Sequence, residues 1–181
     1  MRFPAPSKTP ALHTEQIMLF RVSGHLFAVS SGSVQEVRSV DSLAGSATEI
    51  TAPGLKKVRH IVRRGDKSLF VVNGALHFGL PLTSGLLVFV LRRTRTALLI
   101  DGIEKMTTMT RLQALPQAFC NEERNWYRGV TALDQNVVPV VKPEGFLTCE
   151  EIALLEHTLN PARASTIAAD SSTGLNNDSA E

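Results

Sequence analysis

The apolar residues of this chain come in short, nearly continuous runs that are separated by turn residues. Runs of this length that are rich in Val, Ile, Leu and Phe are typical of β-strands covered on both faces, whereas long amphipathic helices need a wider spacing. The pattern predicts an all-β, barrel-like fold with little helix. The runs occupy residues 58–62, 69–72, 86–91 and 97–100, and a further strand with mixed faces is predicted over 34–40.

Two further pairs of runs predict β-hairpins. Residues 17–22 are followed by Ser-Gly-His and then by a second run at 26–29. Residues 130–133 and 137–141 are joined by Asp-Gln-Asn, and Pro139 within the second run indicates an edge strand or a position whose N–H the ladder does not need. We expect a loop over the Ser-, Ala- and Gly-rich residues 41–57.

One helix signal is strong. Thr148 stands three residues before Glu151 and forms a capping box, and apolar residues recur beyond it at helical spacing. The sequence therefore predicts a helix near 149–158 that closes the domain, with a second helical turn around 118–124.

The length of 181 residues and a hydrophobic content of 43% fit one domain with a single good core. We expect a folded domain over residues 15–159, a flexible lead-in over 1–14 and a disordered tail over 160–181, which is rich in small and polar residues. Neither a signal peptide nor the ~20 apolar residues of a membrane span appears, which predicts a cytoplasmic protein without membrane insertion.

No catalytic constellation is visible. The five histidines are scattered without a metal-binding spacing, and neither a nucleophile elbow nor a phosphate-binding loop is present. Cys120 and Cys149 are the only cysteines, and we expect reduced thiols that pack as small apolar groups. The sequence therefore predicts no catalytic residue, no metal site and no cofactor.

The most marked local feature is a basic segment over residues 56–67. It carries six cations and one carboxylate, or +5, whereas the whole chain is +2, so the remainder must be −3. This polarity could steer an acidic partner or a nucleic acid, or it could be a solvated strand edge on which cations discourage edge pairing. The cations are Lys56, Lys57, Arg59, Arg63, Arg64 and Lys67.

Glu36 lies inside the otherwise apolar-flanked strand at 34–37 and should attract a cation from the basic segment. Arg64 is the predicted partner. If Glu36 instead points into water, such a pair contributes only about 0 to 1 kcal/mol, so the pair is expected to fix position and not stability.

Three stretches in this order resemble the CheW-like domain family. Residues 19–37 are similar to its opening hairpin and Val-x-Glu-Val strand, residues 64–103 to its Arg-Gly turn, Phe-Gly-Leu close and paired strands, and residues 127–147 to its closing hairpin. The resemblance implies two intertwined five-stranded, SH3-like β-barrel subdomains with a C-terminal helix. The chain departs from the family pattern at His60, Arg63, Phe70, Asn73, Gly74 and Lys142.

The resemblance also implies a function. Members of the family are noncatalytic adaptors, so the expected partners are the regulatory domain of a CheA-type histidine kinase, the cytoplasmic tips of methyl-accepting chemoreceptors and other CheW-like domains. The alternative is a small β-barrel that binds nucleic acid through residues 56–67, although the chain offers one Trp and one Tyr for base stacking. The candidate partner-binding residues are Glu36, Val37, Arg63, Arg64 and Gly65.

Overall fold

A computed structural model describes residues 14–43, 46–52, 54–65, 67–119 and 122–159. This part of the chain consists mainly of short strands. In chain order its elements are β1 (Glu15–Val22), β2 (His25–Ser30), β3 (Val34–Ser39), β4 (Ala47–Glu49), β5 (Val58–Arg64), β6 (Lys67–Asn73), α1 (Gly74–His77), β7 (Leu87–Leu91), β8 (Thr96–Ile100), β9 (Gly102–Met109), α2 (Glu123–Trp126), β10 (Tyr127–Leu133), β11 (Asn136–Val141) and α3 (Cys149–Leu159).

The strands form two sheets. The first has the order β10-β11-β2-β1-β9, and the second has the order β3-β7-β8-β6-β5-β4. The predicted all-β class with a C-terminal helix is confirmed, and two SH3-like subdomains are consistent with this topology. The second sheet has six strands because the short β4 pairs with β5 inside the segment that was predicted to be a loop.

Side chains on alternate positions of one strand enter different apolar clusters. On β6, Leu69 and Val71 pack into the interior of the second sheet, whereas Phe70 and Val72 pack into a larger central cluster shared with the first sheet. The side chains of β7 are divided between the same two clusters. The first sheet has its own interior cluster around Ile17. The prediction that the apolar runs are covered on both faces is therefore confirmed, because the period of a strand is two.

The two outer strands of the first sheet approach each other. The chain that follows β9 returns to β10 through a bridge between Gln113 and Val130, and Lys105 Nζ on β9 lies 2.8 Å from a carboxylate oxygen of Asp134 beyond β10. This hydrogen bond lowers the pKa of Asp134 and raises that of Lys105. The sheet is therefore strongly curved, as an SH3-like subdomain requires.

Both predicted hairpins are present, but Pro139 is not on an edge strand. Strand β11 lies between β10 and β2, and Pro139 pairs with Val130. The Val130 N–H donates to the Gln113 carbonyl, and the Val130 carbonyl accepts from the Gln113 N–H. The pair of Val130 with Pro139 therefore lacks hydrogen bonds. Pro139 was predicted to lie either on an edge strand or at a position whose N–H the ladder does not need, and the second alternative is observed.

Three other predictions need correction. The pattern missed β9, because its sequence is mostly polar and its side chains are largely exposed. The loop expected over 41–57 contains β4. Cys149 is exposed instead of packed. Cys120 lies outside the described residues, as do most of the lead-in and the tail, and the domain boundaries at 15 and 159 stay predictions.

Helix α3 closes the fold as predicted. The Thr148 N–H donates to a carboxylate oxygen of Glu151 at 2.9 Å, and the Glu151 N–H donates to Thr148 Oγ1 at 3.1 Å, which is the predicted capping box. Leu155 is fully buried in the central cluster. The short turn α2 overlaps the second predicted helical segment. Within the described residues, no helix is long and apolar enough to cross a bilayer.

An aromatic cluster surrounds His77 where α1, α2 and α3 meet. The rings of Trp126, Phe78 and Phe146 lie 4.5, 5.0 and 5.0 Å from the imidazole centroid. His77 is 3% exposed, and neither of its ring nitrogens has a hydrogen-bond partner among the described residues. Burial, together with the nearby Lys57 ammonium, lowers the pKa of His77 to about 3.

This environment makes the free energy of unfolding depend on pH. In the unfolded chain His77 binds a proton near its usual pKa of about 6.5, whereas in the folded chain it does not. The contribution of neutral His77 to the free energy of unfolding is therefore fully present above a pH of about 6.5. It falls by up to about 1.4 kcal/mol per pH unit as the pH is lowered from there toward 3. Urea unfolding at several pH values should show this slope, and His77→Phe should reduce it. The matched variant of an exposed histidine, His25→Gln, should retain it; equal slopes for all three proteins would contradict the assignment.

Candidate functional site

Glu36 on β3 contacts two arginines. Arg64 Nη2 donates a hydrogen bond to Glu36 Oε1, and Arg38 Nε lies 3.1 Å from the same oxygen. The side chains of Glu36 and Arg64 are about a third exposed, 30% and 35%. The predicted pairing of Glu36 with Arg64 is confirmed, whereas the contribution of Arg38 was not predicted.

The ion pair joins two distant strands of one sheet. β7, β8 and β6 lie between β3 and β5, so Glu36 can reach Arg64 only because the sheet curls. Glu36 stands opposite Val90, and Arg64 lies on the same face as Val62. Both valines belong to the interior cluster of the second sheet. The charges therefore lie at one end of that apolar interior, where the curled sheet opens to solvent.

The other candidate residues lie close to this end but on different faces. Val37 stands opposite Phe89, on the other face of β3 from Glu36, and is 37% exposed on an outer strand. Arg63 is exposed at the end of β5, and Gly65 follows in a turn with φ of +57°. A positive φ of this kind favours glycine over any residue with a Cβ. The structure thus pairs Glu36 with Arg64 and places Arg63 and Gly65 beside them.

A second basic segment joins this end of the sheet. The turn over residues 92–95 is fixed there because the Phe70 N–H donates to the Arg95 carbonyl at 2.9 Å and Arg92 Nε donates to the Val34 carbonyl at 3.0 Å. Arg93 is exposed in the same turn. This group could not be found from the sequence, because only the parallel pairing of β6 with β8 brings residues 92–95 beside the start of β6.

The fold divides the predicted basic segment over 56–67. Lys57 lies 2.8 Å from Glu151 of α3, and Lys56 and Arg59 share its end of β5. Arg64 and Lys67 lie at the other end of the strand, about 20 Å away at the usual rise per residue. The segment is therefore not one continuous positive strip.

No metal site is apparent in the described ranges. Within them, no group of three His, Cys, Asp or Glu side chains is arranged to hold an ion. The chemistry at the Glu36 end is that of recognition: planar guanidinium groups around a carboxylate, beside an exposed outer strand. Charged groups in such an arrangement are suited to setting orientation and register when two protein surfaces meet.

Comparisons with known proteins bear on the family and the fold. The family model described as "CheW-like domain" matches residues 16–151. Among solved structures, the chain is similar to the scaffolding protein TtCheW from Thermoanaerobacter tengcongensis, with a TM-score of 0.60 and 13% sequence identity. That alignment covers 75% of this chain and 94% of the other. A comparison with curated proteins gives no match.

We expect the Glu36–Arg64 pair to fix geometry with little effect on stability. In a double-mutant cycle of Glu36→Gln and Arg64→Gln, the coupling free energy from urea unfolding should be about 0 to 1 kcal/mol, because water screens a pair that is a third exposed. The control cycle pairs Glu36→Gln with Arg63→Gln and should be additive. A Glu36–Arg64 coupling of several kcal/mol would mean that the pair behaves as a buried one.

Proposed function

The chain belongs to the CheW-like domain family, and from this premise we propose that it is a noncatalytic adaptor that couples chemoreceptors to a CheA-type histidine kinase. The family match carries the proposal, because it spans most of the strands that build both sheets. The proposed unit is the domain over residues 15–159, acting in the cytoplasm. Its partners would be the regulatory domain of the kinase, the cytoplasmic tips of the receptors and other CheW-like domains.

We further propose that the end of the second sheet with Glu36 and Arg64 takes part in partner binding. Val37 offers an exposed apolar contact on an outer strand, and the backbone of β3 is paired with another named strand on one side only. Arg63 and the turn at Gly65 border it. Apolar contact would supply affinity there, whereas the arginine and carboxylate groups would set the orientation of the partner.

The role of Glu36 in this proposal is positional. With two arginines on its carboxylate, it holds the guanidinium of Arg64 at the mouth of the curled sheet. A preorganised guanidinium loses less side-chain entropy when it meets a partner than a free one. Substitutions at Glu36 or Arg64 should therefore affect binding more than folding.

Nucleic-acid binding has less support. The basic segment over 56–67 is divided between the two ends of β5. Tyr127 is buried, and the one Trp packs against His77 and leaves only part of its surface open near Lys56 and Lys57, so neither ring lies beside the cations at the Arg64 end of β5. A salt titration with a fluorescent random oligonucleotide tests this alternative directly.

The proposal predicts that the purified chain binds the regulatory domain of a CheA-type kinase in isothermal titration calorimetry. Arg64→Ala and Glu36→Arg should each weaken binding about tenfold, while the far-ultraviolet spectrum stays unchanged, because the first removes the guanidinium and the second removes the carboxylate that orients it. Arg59→Ala, which removes an exposed arginine at the other end of β5, is the matched control and should bind as the unmodified chain does.

Two results would contradict different parts of the proposal. Unchanged binding by both Arg64→Ala and Glu36→Arg would remove these residues from the interface and leave the adaptor function in place. If the unmodified chain binds neither the kinase domain nor a receptor tip, and does not change kinase activity in receptor-containing membranes, the adaptor function itself is wrong.

A further inference from the structure

A cleft of about 600 Å³ opens where α1, α2 and α3 meet the loop before β5. This volume is within the usual range of small-molecule sites. The cleft lies at the end of β5 away from Glu36 and Arg64, so the proposed partner surface does not account for it. The lining residues on which the argument below depends are Leu55, Lys56, Leu76, His77, Glu122 and Trp126.

His77 is the unusual group in the wall of this cleft. Its ring is buried among aromatic side chains, and neither nitrogen has a hydrogen-bond partner among the described residues. At neutral pH the imidazole is uncharged and has one N–H donor and one acceptor nitrogen. A buried polar group without a partner costs about 1 to 3 kcal/mol, so a ligand that supplies a partner recovers part of this cost.

The charges around the cleft come from separate segments. Lys56, on the loop before β5, and Glu122, at the start of α2, are both exposed, and neither side chain has an ion-pair partner in the part of the chain that is described. Lys57 and Glu151, at 2.8 Å from each other, already neutralise one another. Glu123 of α2 also lines the cleft and takes part in an interaction of its own. Lys56 and Glu122 are therefore the cation and the carboxylate that we take as contacts for a ligand.

The remaining wall is apolar. Leu55 is buried, while Leu76, Phe78 and Trp126 are half-buried and present part of their surface to the cleft. The indole ring of Trp126 lies 4.5 Å from the His77 ring, and both residues line the cleft. An apolar wall with a few convergent polar groups is the usual composition of a ligand site.

We propose that this cleft binds a small zwitterion with an apolar body, of the size of a free amino acid or a dipeptide. The carboxylate of the ligand meets Lys56, its ammonium group meets Glu122, and its apolar side chain packs on Trp126. His77 donates its N–H to the ligand carboxylate once the indole has moved. This binding site is additional to the proposed adaptor function and does not depend on it.

The intrinsic fluorescence of the protein reports on this cleft, because Trp126 is the only tryptophan in the chain. L-leucine, L-phenylalanine and the dipeptide Leu-Leu are titrated into the purified full chain while Trp126 fluorescence and the heat of binding are recorded. The same compounds with an acetylated amine and an amidated carboxylate, which have the same apolar body and no charge, are the matched controls.

The proposal expects saturable binding of at least one zwitterion with a change in Trp126 fluorescence, and much weaker binding of its capped form. Lys56→Ala and Glu122→Gln should each weaken affinity about tenfold, because each removes one charged contact. Lys67→Ala and Asp41→Asn, which change exposed charges elsewhere on the surface, should have no effect.

His77→Phe separates the role of the imidazole from the shape of the cleft, since the aromatic packing is kept while both nitrogens are lost. It should also weaken binding, and a far-ultraviolet spectrum checks that the variant is folded. Absence of binding by all three zwitterions at millimolar concentration would overturn the proposal. Equal binding of the charged and capped compounds, or of the Lys56→Ala and Glu122→Gln variants and the unmodified chain, would overturn it as well.

Discussion

Burial of both faces of the central strands is the constraint on which the rest of the structure depends. A strand directs successive side chains to opposite faces, so a continuous apolar run must have apolar material on both sides. In this chain one face of β6 and β7 packs inside the second sheet, and the other face packs against the first sheet. Neither sheet can therefore bury its apolar residues alone, and the central cluster ties them into one structure.

Because the interior of each sheet is apolar, recognition groups are restricted to the margins and open ends. Glu36 and Arg64 illustrate this restriction, since they join the two sides of the second sheet at the mouth of its apolar interior. Their mutual contact adds little to stability at this exposure, yet it determines which way a guanidinium faces a partner. In a protein proposed to act by binding alone, such orientation is the relevant property.

Sequence reasoning succeeded where local physics decides the outcome. The apolar runs, the two hairpins and the Thr148 capping box each depend on a few neighbouring residues, and all were found. Strand β9 was missed because an outer strand with exposed side chains has no alternating pattern to detect. The Glu36–Arg64 pair could be predicted from charge in an apolar setting, but the convergence of residues 92–95 with the start of β6 depends on the parallel pairing of β6 and β8.

The two ends of β5 carry different ion pairs, and the strand between them limits how a change at one end can alter the structure at the other. Lys57 precedes the strand and is held by Glu151 of α3, whereas Arg64 ends it and is held by Glu36 of β3. Strand β5 is paired along most of its length with β6 and is fully buried at Ile61. A packed interior of this kind does not deform continuously, so occupation of the cleft changes the partner surface only if it shifts β5 as a unit. The His77 cleft and the Glu36 end lie about 20 Å apart along this strand, so the two proposed sites are expected to act independently unless β5 moves.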